Sequence, residues 1–190
     1  MGRKKGAIVT KAVMRAVLSE VALHGVPRVS MTAVARAAGV SVGALYDRYP
    51  TREAVLAEAY WEFDCAATGR LDRLFGEYPE GEGFRVIWQT LTRVLLDDVS
   101  GQAFMRLFME REHFLPPDKQ AEVVPTTLRW WLTRNSRDLG PAPLEVHARI
   151  VWGFLLAVLS GPASQGPRDS ALTRQMGEAC WAALRAPPPP

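Results

Sequence analysis

The stretch Ser30-Met31-Thr32-Ala33-Val34-Ala35-Arg36-Ala37-Ala38-Gly39-Val40-Ser41-Val42-Gly43-Ala44-Leu45-Tyr46-Asp47-Arg48-Tyr49-Pro50-Thr51-Arg52 decides how this chain is read. Ser30 is a good helix N-cap, because its hydroxyl accepts from a backbone N–H that the first turn leaves unpaired. Val29 and Val34 occupy the two positions of a hydrophobic staple around it. Met31, Val34, Ala35 and Ala38 recur every three or four residues, so one face of this helix is apolar. Gly39 follows at the point where a left-handed residue ends a helix at little cost. Ser41 caps a second short helix over about 42–48, with Val40 and Leu45 as its staple. Pro50 disfavours helical geometry at Tyr49. Thr51 caps a third helix and puts Glu53 in its first turn, where the positive helix end favours an anion.

The small residues Ala35, Ala38 and Gly43 allow two helices to cross closely. Leu45 and Tyr49 are the expected anchors beneath, which leaves Val42, Ala44, Tyr46, Asp47 and Arg48 facing outward. Two helices split by a glycine turn present one helix to the major groove of DNA in a helix-turn-helix. The plain alternative is a tight helix pair inside an all-α core. Charge separates the two. Residues 1–52 carry nine Lys/Arg against two acidic residues, a net +7 in a chain whose total is +3. A basic head on a mildly acidic body is the footprint of phosphate binding. Lys11, Arg15, Arg36 and Arg48 do not share one amphipathic helix with a broad apolar face for lipid.

The run Ser30 … Val34-Ala35 … Ala38-Gly39-Val40-Ser41 … Gly43 … Leu45-Tyr46 … Tyr49 … Arg52 … Val55-Leu56 resembles the amino-terminal DNA-binding domain of the TetR/AcrR-type transcriptional regulators, over about residues 8–60. Three positions depart from the usual pattern: Val42 where Lys is frequent, an acidic Asp47, and Tyr49 in place of Phe. The resemblance implies that the helix over 42–48 reads DNA. Val42 and Ala44 then offer apolar contact to thymine methyls, and Arg48 meets a guanine edge or a phosphate. Ser30, Thr32, Arg36, Ser41, Tyr46, Thr51 and Arg52 clamp the sugar-phosphate backbone. Gly43 and Asp47 complete the surface, Asp47 orienting Arg48 or Arg52 or accepting from a cytosine amino group, or else standing as a plain solvated residue.

The helical pattern continues through the body, with helices expected over about 7–23, 52–75, 84–99, 102–113, 118–136, 144–159 and 170–185. The expected fold is all-α: an N-terminal three-helix helix-turn-helix DNA-binding domain at 1–51, joined to a helical ligand-binding and dimerisation bundle at 52–190, about nine helices in all. The helix over 144–159 is apolar nearly all round and must be covered on more than one side. By the resemblance, two carboxy-terminal helices from each subunit build a dimer interface, placed here on Trp152, Leu155, Leu159, Met176, Cys180 and Leu184. A two-fold dimer suits a palindromic operator; completion of a monomer core is the alternative. Trp88, Thr92, Phe104, Met105, Phe108, Trp131 and Phe154 form a candidate cavity for a small apolar or aromatic inducer, although each alone reads as packing.

At 190 residues, 48% hydrophobic and 23% charged, the chain is globular in composition. No stretch reaches the ~20 apolar residues of a membrane span, and the start lacks a signal-peptide pattern, which points to the cytoplasm. Cys65 and Cys180 read as reduced thiols on separate helices. His24, His113 and His147 have no zinc-ligand spacing. There is no P-loop, Gly-x-Gly-x-x-Gly or Gly-x-Ser-x-Gly motif, and Glu110, Glu112 and His113 read as surface charge. The expectation is therefore a non-enzymatic, ligand-responsive repressor without metal or resident cofactor. Its expected partners are a double-stranded DNA operator, a second copy of itself and a small inducer. The competing class is an all-α protein-interaction or membrane-surface module with a basic head and no specific DNA target.

Overall fold

The computed structural model describes residues 2–75, 88–89, 99–120, 128–129, 132–133, 139–159 and 170–186. Among them are eight α-helices and two short 3-10 turns, and no strand. The helices are α1 (Gly2–His24), α2 (Met31–Ala38), α3 (Val42–Arg48), α4 (Arg52–Phe75), α5 (Val99–Met109), α6 (Pro117–Gln120), α7 (Leu144–Leu159) and α8 (Ser170–Arg185). The 3-10 turns are Val26–Arg28 and Arg111–His113. The helix expected over 102–113 begins earlier, at Val99, and ends as an α-helix at Met109. Most of the helices expected over 84–99 and 118–136 lies outside the described residues. Among the described residues no helix is long and apolar enough to cross a membrane.

The chain divides into two compact units, Met1–Phe63 with Asp97–Ala121, and Asp64–Leu96 with Glu122–Pro190. The division falls inside α4, and the first unit takes in the start of α4 and all of α5.

In the first unit α1 packs on both α2 and α5. Val13, Val17 and Val21, spaced by four, are essentially inaccessible to solvent, as the helical repeat requires. Met31, Val34 and Ala35 of α2, Leu45 of α3, and Val55, Leu56 and Tyr60 of α4 are buried as well. Each fully buried aliphatic side chain of this kind contributes about 1.5–3 kcal/mol. An aromatic cluster extends this core: Phe104 stacks on Tyr60 (centroids 5.3 Å apart) and on Phe63 (4.7 Å). Arg106 of α5 donates to the carbonyls of Val21 (3.1 Å) and Ala22 (2.9 Å). Those oxygens belong to the last turn of α1, where the helix runs out of its own N–H donors; the Val21 carbonyl also accepts from the Gly25 N–H at 2.9 Å.

In the second unit α7 and α8 pack together. Trp88 is buried, donates from Nε1 to the Thr173 carbonyl at 2.8 Å, and lies directly over the Cα of buried Gly177. Gly140 donates its backbone N–H to Leu184 at the end of α8, 2.9 Å away. The two cysteines are both reduced: Cys65 is exposed on α4, whereas Cys180 is buried and its thiol is pushed up to about 12 by desolvation.

Candidate nucleic-acid interface

Three hydroxyl caps set the geometry of residues 30–52, and each accepts from the backbone N–H three residues on. Ser30 Oγ accepts from Ala33 at 3.2 Å, Ser41 Oγ from Ala44 at 3.1 Å and Thr51 Oγ1 from Ala54 at 3.1 Å. Between α2 and α3 the chain turns through Gly39, whose φ of 69° and ψ of 31° are left-handed. The Gly39 N–H donates to Arg36 and the Val40 N–H donates back to Ala35 at 3.0 Å, the paired bonds of a Schellman ending. A side chain at residue 39 would strain this turn.

Between these caps, α3 turns one face inward and one outward. Leu45 is 1% exposed and Tyr49, just past the helix, is 6% exposed. Val42 and Tyr46 stand out at 37% and 48%, and Gly43, Ala44, Asp47 and Arg48 are exposed with them. Ser30, Thr32, Arg36, Ser41 and Thr51 are exposed around this face. Of the twelve residues expected at the nucleic-acid surface, eleven therefore face solvent.

Arg52 is the twelfth, and it is used differently. Its Nε donates to the Val29 carbonyl at 2.9 Å, its Nη2 to the Val26 carbonyl, and its Nη1 meets Glu53 at 3.2 Å. The guanidinium expected to clamp phosphate thus holds the turn between α1 and α2. Its acidic partner is Glu53, so Asp47 does not orient Arg52. Hydrogen bonding to its own backbone N–H at the start of α4, and then Arg52, hold the Glu53 carboxyl below its usual value.

Arg48 lies 5.8 Å from the centroid of the Tyr49 ring. The Tyr49 hydroxyl is buried without a hydrogen-bond partner. Burial raises its pKa above 10.0, and the neighbouring Arg48, which pulls the other way, does not offset it.

The candidate cavity residues fall into different surroundings. Phe104, Met105 and Phe108 are buried in the first unit, with Phe104 and Phe108 beside Tyr60, so the contacts they make are those of a packed core. Trp88 is buried on Gly177 in the second unit, Phe154 is half-buried on α7, and Thr92 and Trp131 lie outside the described residues.

Of the residues expected between two copies, Trp152, Leu155, Cys180 and Leu184 are already buried within one chain. Met176 is half-buried, and the side chain of Leu159 is outside those described. The faces of α7 and α8 that remain open carry Val146, Arg149, Gly153 and Ala157, and Arg174, Gln175, Glu178, Ala179 and Ala182. The all-round apolarity of α7 concealed which side the chain itself would cover. Among the described residues no three His, Cys, Asp or Glu side chains gather as metal ligands would.

Residues 14–59 match the family described as bacterial regulatory proteins, tetR family. No curated relative matches the sequence. Three solved structures show the same fold. A TetR-family transcriptional regulator from Haemophilus influenzae Rd superposes with a TM-score of 0.72 at 14% identity, over 96% of this chain and 99% of that one. A TetR-family transcription regulator from Marinobacter aquaeolei VT8 gives 0.67 at 22% identity, over 96% and 98%. A third, concerned with control of antibiotic production by bacterial hormones, gives 0.72 at 19% identity, over 93% and 97%.

Proposed function

We propose that this chain, whose residues 14–59 match the tetR family of bacterial regulatory proteins and which shares the fold of TetR-family regulators, acts as a ligand-responsive transcriptional repressor. Two copies bind a palindromic operator, each presenting α3 to the major groove, and a small apolar or aromatic molecule releases them. One observation carries the reading: α3 is capped by Ser41, anchored by Leu45 and Tyr49, and exposes Val42, Ala44, Tyr46, Asp47 and Arg48 together. The net +7 of residues 1–52 supplies the phosphate attraction. Two-fold symmetry places two such helices about 34–36 Å apart, one turn of duplex. The open faces of α7 and α8 are the surface offered to the second copy. Ligand response is supported by the fold shared with a protein concerned with control by bacterial hormones. A ligand acts here only through unequal affinity for the DNA-bound and released states.

The test is selection of bound fragments from the source genome, followed by titration of the selected duplex against salt. A repressor yields one palindrome and loses orders of magnitude of affinity between ~50 and ~200 mM salt while keeping its sequence preference. Weak, sequence-blind retention of DNA would instead identify an interaction or membrane-surface module.

A further inference from the structure

Two arginines from different helices grip one short piece of backbone. Arg106 of α5 donates from Nη1 to the carbonyls of Val21 (3.1 Å) and Ala22 (2.9 Å). Arg52 of α4 donates from Nε to the carbonyl of Val29 (2.9 Å) and from Nη2 to that of Val26. Carbonyls on both sides of Gly25 are thus held from outside the turn. The turn does less to hold itself. Gly25 has a φ of 78°, and the bonds from the Arg28 N–H to Gly25 and from the Val29 N–H to Val26 are both 3.3 Å, longer than the usual range. Val26 and Val29 are buried, where backbone oxygens need donors, and Arg52 brings them.

This turn sets where the DNA-facing helices begin. Val29 directly precedes Ser30, the cap of α2, and α2 runs through the hydrogen-bonded ending at Gly39 into α3. A change of path at 26–29 therefore tilts α2 and α3 together. Arg106 belongs to a helix that packs on α1 and contributes no residue to the helix-turn-helix.

We infer that Arg52 and Arg106 form a clasp that sets the angle at which α2 and α3 leave α1, which makes Arg106 a positioning residue for DNA binding from outside the helix-turn-helix. The inference rests on the operator-binding reading above and adds to it a determinant on α5. Its route is geometry rather than phosphate contact, since Arg106 Nη1 is directed at backbone carbonyls.

The experiment uses the full chain and a duplex that it selects from a random library, at a temperature where circular dichroism shows every variant folded. Arg106→Ala binds this duplex about three- to tenfold more weakly, with its salt slope unchanged. Arg106→Gln keeps an amide N–H and recovers part of the loss. Arg52→Ala combined with Arg106→Ala loses less than the product of the two single effects, because either change alone already frees the turn. Without DNA, hydrogen exchange in Arg106→Ala speeds up at Ala33 and Val34, whose N–H groups bond to Ser30. Affinity equal to the parent's overturns the inference, and so does a fully multiplicative loss in the double variant. A slope lower by the ~0.9 of one phosphate contact makes Arg106 a direct ligand of DNA and overturns the positioning role. Exchange that changes only at the end of α1 means that the clasp does not reach α2, which overturns it too. If no duplex is selected the operator reading falls by itself, and exchange at Ala33 and Val34 still decides the clasp.

Discussion

Arg52 Nε donates to the carbonyl of Val29 across 2.9 Å, joining the first residue of α4 to the residue just before the cap of α2. With the Val26 carbonyl also in reach, one guanidinium fixes the path between α1 and α2. Arg52→Ala is therefore expected to lower stability by about 1–3 kcal/mol, measured by urea denaturation. Its DNA affinity should change its salt slope by clearly less than the ~0.9 that one lost phosphate contact gives. A full unit of slope with no loss of stability would return Arg52 to the phosphate surface.

Tyr49 carries a buried hydroxyl with no partner. Tyr49→Phe removes an unsatisfied group without altering shape, so it should leave stability unchanged or raise it by up to about 1 kcal/mol. The pH dependence has a definite sign. The folded-state pKa is raised above 10.0 by burial, so the folded chain holds this proton more tightly than the unfolded chain does. The stability involved is fully present below pH 10.0 and is lost as pH rises through the folded value. Alkaline melting curves should show the parent chain losing stability sooner than Tyr49→Phe.

Gly177 has no room for a side chain. A Cβ there would lie 2.5 Å from Cδ1 and 2.7 Å from Nε1 of Trp88, and the indole is itself held by its bond to Thr173. Gly177→Ala should cost about 1–3 kcal/mol through overpacking. Thermal denaturation checks this; an unchanged melting temperature would mean that the ring yields.

Arg106 supplies donors to the last turn of α1 from more than eighty residues away in sequence. Arg106→Ala should destabilise by about 1 kcal/mol, and Arg106→Gln should recover part of it through its amide N–H. Hydrogen exchange near residues 24–26 gives the local readout, with faster exchange expected in the alanine variant.

The parts of the fold set by local chemistry were legible in the sequence. Ser30, Ser41 and Thr51 cap because each hydroxyl reaches a donor three residues on, and Gly39 turns because only its own backbone has to accept the angle. Leu45 inward and Val42 outward follow from helical spacing alone. What depended on distant residues was not legible. Nothing in the neighbourhood of Arg52 announced acceptors at Val26 and Val29, and nothing near Arg106 pointed to α1. On α7, apolar residues occupy every face, so periodicity could not tell that Trp152 and Leu155 turn inward while Gly153 and Ala157 stay open. The extension of the first compact unit to Phe63 and across α5 arises from the same long-range packing.

The contrast between the two thiols has a practical outcome. Cys180 is sealed off and hard to ionise, whereas Cys65 sits in the open on α4. A maleimide dye will therefore attach at a single point per molecule without any engineered cysteine. That native handle gives a fluorescence reporter on α4 for following DNA capture and release in real time.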